Sequence, residues 1–219
     1  MKKMNIAIDG PSAAGKSTIA KLLAKQLKYV HLDTGAMYRC AALASKHHHL
    51  SVEDEEQIVS MIDKLEIVFD DLGNVFMNGQ DVTKDIRENE ISMLTSKVST
   101  YPKVREKLVQ RQQEMAKAKG YILDGRDIGT VVLPDAELKI YMIASVEARA
   151  KRRYQEYVEK GIDIAYDTIY KDIEERDYQD MNRKTSPLTK ASDAVEIDTS
   201  SLNIQEVVDK ILKLLTEVK

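Results

Sequence analysis

Cysteine is almost missing from this chain. Cys40 is the one such residue in 219, so no disulfide can close within the chain, which suits a reducing compartment. Long apolar runs are missing too: none approaches the ~18–20 residues that a membrane span needs. The opening Met-Lys-Lys-Met-Asn leads straight into an apolar strand and leaves no room for a cleavable signal. The expectation is a cytoplasmic protein with no membrane partner. Net charge is also small, −3, so bulk electrostatics offers nothing to a nucleic-acid polymer, and any anion must be held by local basic clusters. Metal-ligand spacing is lacking. His47-His48-His49 are successive residues at a helix end and point in different directions, and His31 is the only other histidine. No long linker, internal repeat or low-complexity segment interrupts the chain. With 43% hydrophobic and 32% charged residues, what remains describes a soluble globular protein, one sizeable α/β domain or a core with one insertion.

What is present is concentrated near the start. A short apolar run ends at Gly10, and an amphipathic pattern of Ile19, Leu22, Leu23 and Leu27 begins just after Ser17. Between them Gly10, Pro11, Ser12, Ala13, Ala14, Gly15, Lys16, Ser17 and Thr18 fit G-x-x-x-x-G-K-[ST] at every defined position, in the required strand–loop–helix context. The two glycines let the backbone curl into a nest of N–H donors around a phosphate. The helix start adds the positive end of its dipole. Lys16 reaches the β- and γ-phosphates, and the Ser17 hydroxyl is a hard ligand for Mg²⁺.

The remaining chemistry sits at strand ends. Tyr29 to Leu32 reads as a second strand that hands over to a helix at Asp33-Thr34, with Arg39 one turn in, where open α/β sheets place ligands. Both polar residues also suit helix capping. Residues 47–100 break the strand–helix alternation. A capping box at Ser51-Val52-Glu53-Asp54 opens a helix. A hairpin follows, Leu65 to Phe69 and Val75 to Met77 about an Asp70-to-Asn74 turn, with Asp81-Val82 as an optional extension. This stretch is expected to be an inserted subdomain covering substrate. Pro102 starts the next helix and Gly120 ends it. The strand Tyr121-Ile122-Leu123 then runs into Asp124-Gly125-Arg126-Asp127-Ile128-Gly129. An acid there, behind a phosphate loop, is positioned to orient Mg²⁺ or its water. After the strand Leu138 to Ile143 comes a strongly basic helix, Glu147 to Tyr154, that can act as a mobile cationic cover or as a solvated face. Arg176 and Arg183 are seven apart and share a face if their helix reaches that far.

The spaced set of Gly10-Pro11-Ser12, Gly15-Lys16-Ser17, Leu32 to Arg39, Asp124 to Thr130 and Glu175-Arg176-Asp177 resembles the bacterial cytidylate kinases over essentially the whole chain. Ser17-Thr18 and Thr34 stand where Gly-Thr and Ser are equally acceptable. The resemblance implies a three-layer α/β/α P-loop kinase with a central parallel sheet, an inserted NMP-binding subdomain containing a small antiparallel β-hairpin, and a lid. As a single domain over 1–219, it divides into a core of 1–46 and 101–219, an insert of about 47–100 and a lid of about 149–166.

The implied reaction is transfer of the ATP γ-phosphoryl to CMP or dCMP with Mg²⁺. By the same resemblance Ser96, Arg105 and Asp127 read the cytosine edge, and Arg39, Arg126 and Arg183 hold the CMP phosphate. Asp33 stays with the substrate residues, while Thr34, Arg176 and Asp180 approach the sugar. Lys16, Arg126 and the lid arginines Arg152 and Arg153 serve catalysis, and Ser17 and, indirectly, Asp124 serve the metal. Nothing demands more than a monomer.

The chemistry of these residue types agrees. An arginine fork grips phosphate through two parallel bonds. A carboxylate accepts from cytosine's amine, whereas uracil would set a carbonyl against it. Two other readings fit the phosphate loop: a kinase for a neutral hydroxyl with Asp33 as base, and a nucleotide-sensing module with little turnover.

Overall fold

The computed structural model describes residues 3–51, 53–70 and 73–218. Its centre is the apolar run before the phosphate loop. Strand β1 (Ile6–Asp9) is buried at all four positions because it has a parallel neighbour on each side. The sheet also contains β2 (Val30–Asp33), β6 (Tyr121–Gly125), β7 (Leu138–Ile143) and β8 (Val195–Asp198), in the order β2-β6-β1-β7-β8. All its pairings are parallel. The chain leaves β1 toward β2 on one side and later returns to β7 on the other, so the strand order reverses beside β1. That is where open α/β sheets bind ligands. Register aligns Asp9 with Gly125 and Asp33 with Asp124, and so brings the polar strand ends named above to one edge.

Each face of the sheet has its own core. One is covered by α1 (Lys16–Leu27) and α8 (Ile204–Glu217), with Ile6, Ile8, Leu23, Ile122, Ile140, Val208 and Ile211 packed together. Helix α8 starts in a complete capping box between Asn203 and Glu206. The other face carries α2 (Thr34–His47) and α5 (Pro102–Ala116). Between these two helices lie α3 (Glu55–Asp63), α4 (Asn89–Val98) and an antiparallel sheet of β3 (Ile67–Phe69), β4 (Val75–Met77) and β5 (Gln80–Asp81). The hairpin thus has its third strand; Asp71 and Leu72 of its turn lie outside the described residues. The expected capping box lies partly outside them too, at Val52. Asp54, not Ser51, caps α3 and accepts from the Gln57 amide at 3.0 Å. Ile58, Ile62, Val75, Val82, Ile86, Ile91 and Val98 share one continuous cluster with Leu32, Met37 and Leu108. The segment is an insertion in the chain order, yet it is fused to the core in packing.

The last two helices, α6 (Val146–Glu159) and α7 (Tyr166–Asn182), stand against each other over the sheet edge. Only Ala150, Ile169 and Ile173 are buried in their own cluster. Among the described residues no helix is long and apolar enough to cross a membrane.

Candidate active site

The phosphate loop is forced into shape by close approach. Gly10 has φ +150°, and a Cβ there would lie 2.0 Å from the Met142 carbonyl oxygen, a contact no side chain survives. Ala13 and Gly15 also take positive φ, so the loop folds back above the start of α1. Lys16 is buried and donates to the Pro11 carbonyl at 2.7 Å. Burial, with the nearby Arg126 charge added, pushes its ammonium down to about 7. A buried cation shifted this way gains most from a bound anion. Thr18 is exposed on the outside of α1.

Asp124 is the hub beneath this loop. One carboxylate oxygen accepts from the Ser17 hydroxyl at 2.7 Å, and the other faces His31 Nε2 at 2.6 Å. Burial works against its charge, yet His31, Lys16 and Ser17 hold it below the usual carboxylate range. The Thr34 hydroxyl donates to the Asp124 carbonyl at 2.8 Å. Asp33 caps α2 through the Ala36 amide and pairs with Arg39, both at 2.9 Å. For Asp33, capping and crevice contact are one arrangement.

Across a crevice of about 230 Å³ lie the acceptor-side charges. Arg105 and Asp127 form a buried ion pair, with the Arg105 guanidinium stacked 5.3 Å above the Tyr38 ring. Arg183 stands 3.7 Å from Asp127, and Arg126 binds Asp180 at 2.6 Å. The Arg176 side chain makes no hydrogen bond among the described residues. Burial, then Arg126, pushes it down to about 10. Seven cations line the crevice against four carboxylates: Lys16 with Arg39, Arg105, Arg126, Arg153, Arg176 and Arg183, facing Asp33, Asp124, Asp127 and Asp180. Arg39 Nε, Arg105 Nε and an Arg183 terminal nitrogen are buried without a hydrogen-bond partner among the described residues. Unpartnered buried donors are costly, and an anionic or acceptor-bearing ligand in the crevice would satisfy them.

Two expected residues face elsewhere. The guanidinium of Arg152 turns to the Thr199 carbonyl and hydroxyl beside β8, while its neighbour Arg153 lines the crevice over Tyr157. Successive helical residues point ~100° apart, so both cannot face the same hollow. The Ser96 hydroxyl donates back to the Ser92 carbonyl, and its neighbours Thr95 and Ser99 are the ones that line the crevice. Arg183 lies just past the end of α7 as its C-cap, with extended backbone, and meets Arg176 in the crevice without sharing its helix.

Sequence reasoning missed His31, Tyr38, Thr95 and Ser99, and two buried anchors. Asp9 accepts from two backbone amides. Arg149 is held by Asp177 at 3.0 and 2.5 Å and donates to the Ser12 carbonyl of the phosphate loop at 3.1 Å. The basic run did contain Arg149, but only its partners reveal it as a strut.

A loop that wraps polyphosphate on one side and an arginine-lined acceptor hollow on the other leave one class of protein, a P-loop kinase. The fold agrees: shikimate kinase from Bacteroides thetaiotaomicron superposes with a TM-score of 0.50 at 13% identity, over 97% of this chain and 98% of that one. Sequence comparison goes further. The cytidylate kinase family model matches residues 6–217. Cytidylate kinase of Caldicellulosiruptor bescii is 52% identical over 221 residues, covering 100% of this chain and 98% of the relative. That of Bacillus subtilis is 50% identical over 219 residues, 99% and 98% of the two chains. The chain belongs to the cytidylate kinase family.

Proposed function

We propose that the chain transfers the γ-phosphoryl group of ATP to CMP or dCMP, giving ADP and CDP or dCDP, as a cytoplasmic monomer. The observation that carries the reading is the buried Arg105–Asp127 pair facing the crevice opposite the Lys16 loop. A carboxylate there accepts from the exocyclic amine of cytosine, and the guanidinium donates to its acceptors. Arg39, Arg126, Arg176 and Arg183 would surround the acceptor phosphate, with buried donors left over for it.

The acceptor oxygen belongs to a phosphate already ionised at neutral pH, so no general base is required. That leaves alignment and charge neutralisation as the work of the protein. Lys16 and the Gly10 to Gly15 loop would hold the phosphates of ATP, and Arg126 and Arg153, which line the same crevice, would neutralise charge on the group being transferred. Among the described residues no group of three or more His, Cys, Asp or Glu could cage a metal. The adjacent Ser17 and Asp124 oxygens fit Mg²⁺ held through phosphates, Ser17 and waters that Asp124 orients. When bound, that ion supplies neutralisation of charge on the β- and γ-oxygens. The hydroxyl-kinase reading would use Asp33 as base, and there Asp33 instead caps α2 and pairs with Arg39.

The test is an ADP-release assay with CMP, dCMP, UMP, AMP and small alcohols as acceptors. Turnover should be highest on CMP or dCMP. Highest turnover on an alcohol, or none above ATP hydrolysis alone, overturns the reading.

A further inference from the structure

One buried carboxylate lies outside the roles assigned so far. Asp9 is the last residue of β1 and is 4% exposed. Its two oxygens accept separately from the amides of Ile128 and Gly129, at 2.7 Å each. Those amides open the helical turn Ile128–Val132, which closes on itself through bonds from Val131 and Val132 to the Asp127 carbonyl and from Leu133 to that of Ile128. The first donors of any helical turn lack partners within it. Here a residue 119 positions away supplies both.

The turn packs against this carboxylate and Lys139 together: a Cβ at Gly129 would touch one Asp9 oxygen at 3.4 Å and press on the Lys139 side chain at 3.2 Å. Asp127, the residue just before the turn, carries the ion pair with Arg105 and faces Arg183. The backbone of Asp9 is held independently, by ladders to Gly125 on one side and Tyr141 on the other. The next residue is Gly10, where the phosphate loop starts. A single residue therefore joins the donor loop, through its main chain, to the acceptor-reading turn, through its side chain.

From this we infer that Asp9 is a positioning residue for the acceptor nucleotide: its carboxylate fixes the Asp127 turn at a set reach from the Lys16 loop. The inference rests on the proposed CMP kinase reading and extends it. Because the sheet holds the main chain of Asp9 on both sides, losing the side chain leaves the donor loop in place. The turn keeps its Gln113 bond and its buried Ile128 and Val132, but its first two amides, next to Asp127, lose their partners.

Asp9→Asn keeps the volume but offers one acceptor and sets an amide donor against the second N–H. Asp9→Glu keeps the charge and both acceptor oxygens but adds one methylene to the reach, and so guards against a failure of the first variant to fold. Both are assayed with CMP and ATP varied in turn, well below their measured unfolding temperatures. In each, KM for CMP should rise by about tenfold or more while KM for ATP stays within about twofold. In Asp9→Asn, hydrogen exchange at the Ile128 and Gly129 amides should also speed up. Equal rises for both nucleotides, or an unchanged KM for CMP, overturn the inference and reduce Asp9 to a stabilising contact. A wild-type protein that leaves CMP untouched overturns the parent reading instead, so the two failures are distinguishable.

Discussion

The two flanks of the crevice are anchored by different means. The insert between α2 and α5 contributes Ile58, Ile62, Val75, Val82, Ile86, Ile91 and Val98 to a cluster shared with the main sheet. The α6–α7 pair buries only Ala150, Ile169 and Ile173 in a cluster of its own, and its firmest tie to the phosphate loop is polar, through Arg149. Apolar burial scales with area, so the insert cannot leave the core without opening it. A three-residue cluster separates at far lower cost. The Arg105–Asp127 pair therefore sits on the firmly packed flank, whereas α6 and α7, which bring Arg176, Asp180 and, at the C-cap, Arg183 to the crevice, form the flank held by less apolar burial. A fixed frame suits base reading, where a misplaced donor loses discrimination. A loosely held lid suits exclusion of water during transfer.

The sharpest test of the fixed frame is Asp127→Asn. An amide in that position sets a donor against the amine of cytosine, and a rigid site cannot repack around the mismatch. The expected loss in kcat/KM for CMP is about a thousandfold, with KM for ATP within about twofold. Activity on UMP should fall far less, because the new amide can donate to its carbonyl. A loss for CMP of only a few-fold would mean that the Arg105–Asp127 flank adapts as readily as the lid.

A pair of cavity-forming variants addresses the anchoring directly. Ile62→Ala, in the shared core, should lower global stability by about 3 kcal/mol in denaturant unfolding with a single transition. Ile173→Ala, in the α6–α7 cluster, should cost less, about 2 kcal/mol, because its surroundings can collapse. Its effect should appear also as faster amide exchange confined to α6 and α7. Similar global losses in the two variants would erase the distinction between frame and lid.

What could be read from the sequence follows the same division between local and distant. Gly10 to Ser17 were legible because a phosphate nest is built from neighbouring residues. The strand-end acids Asp33, Asp124 and Asp127 were legible because strand polarity dictates where ligands sit. Helix phase was not legible at single-residue precision, so nothing in the string of residues told that Arg153 faces the crevice while Arg152 turns to Thr199, or that Thr95 and Ser99 line it. The grip of Asp9 on the 128–129 amides and of Arg149 on Asp177 joins segments far apart in the chain. A carboxylate or an arginine in a string of residues does not announce its partner. The fusion of the insert with the core escaped for a related reason: an apolar residue in a short helix looks the same whether it closes its own subdomain or joins another.

The smallest expected effect concerns protons, and it asks which flank sets the environment of Lys16. Burial is the main cause of its fall to about 7, and Arg126, on the fixed frame, is the next. In the folded protein without nucleotide, this shift opposes folding fully below pH 7 and is relieved as pH rises from about 7 toward the ordinary lysine value of 10.5. Polyphosphate beside the ammonium reverses the shift. Above pH 7 binding of an ATP analogue must then take up a proton, and affinity should weaken by about fivefold between about pH 7 and pH 8. Calorimetry at about pH 8 in two buffers of different ionisation enthalpy reads the uptake directly. Lys16→Met should abolish that part of it, which separates the lysine from protons taken up by the nucleotide itself. Ile173→Ala should leave it unchanged, because the lid does not create the low-dielectric floor in which Lys16 sits. If loosening the lid removed the uptake, the burial of Lys16 would belong to the moving flank, and the donor phosphates would meet a protonated lysine only after closure.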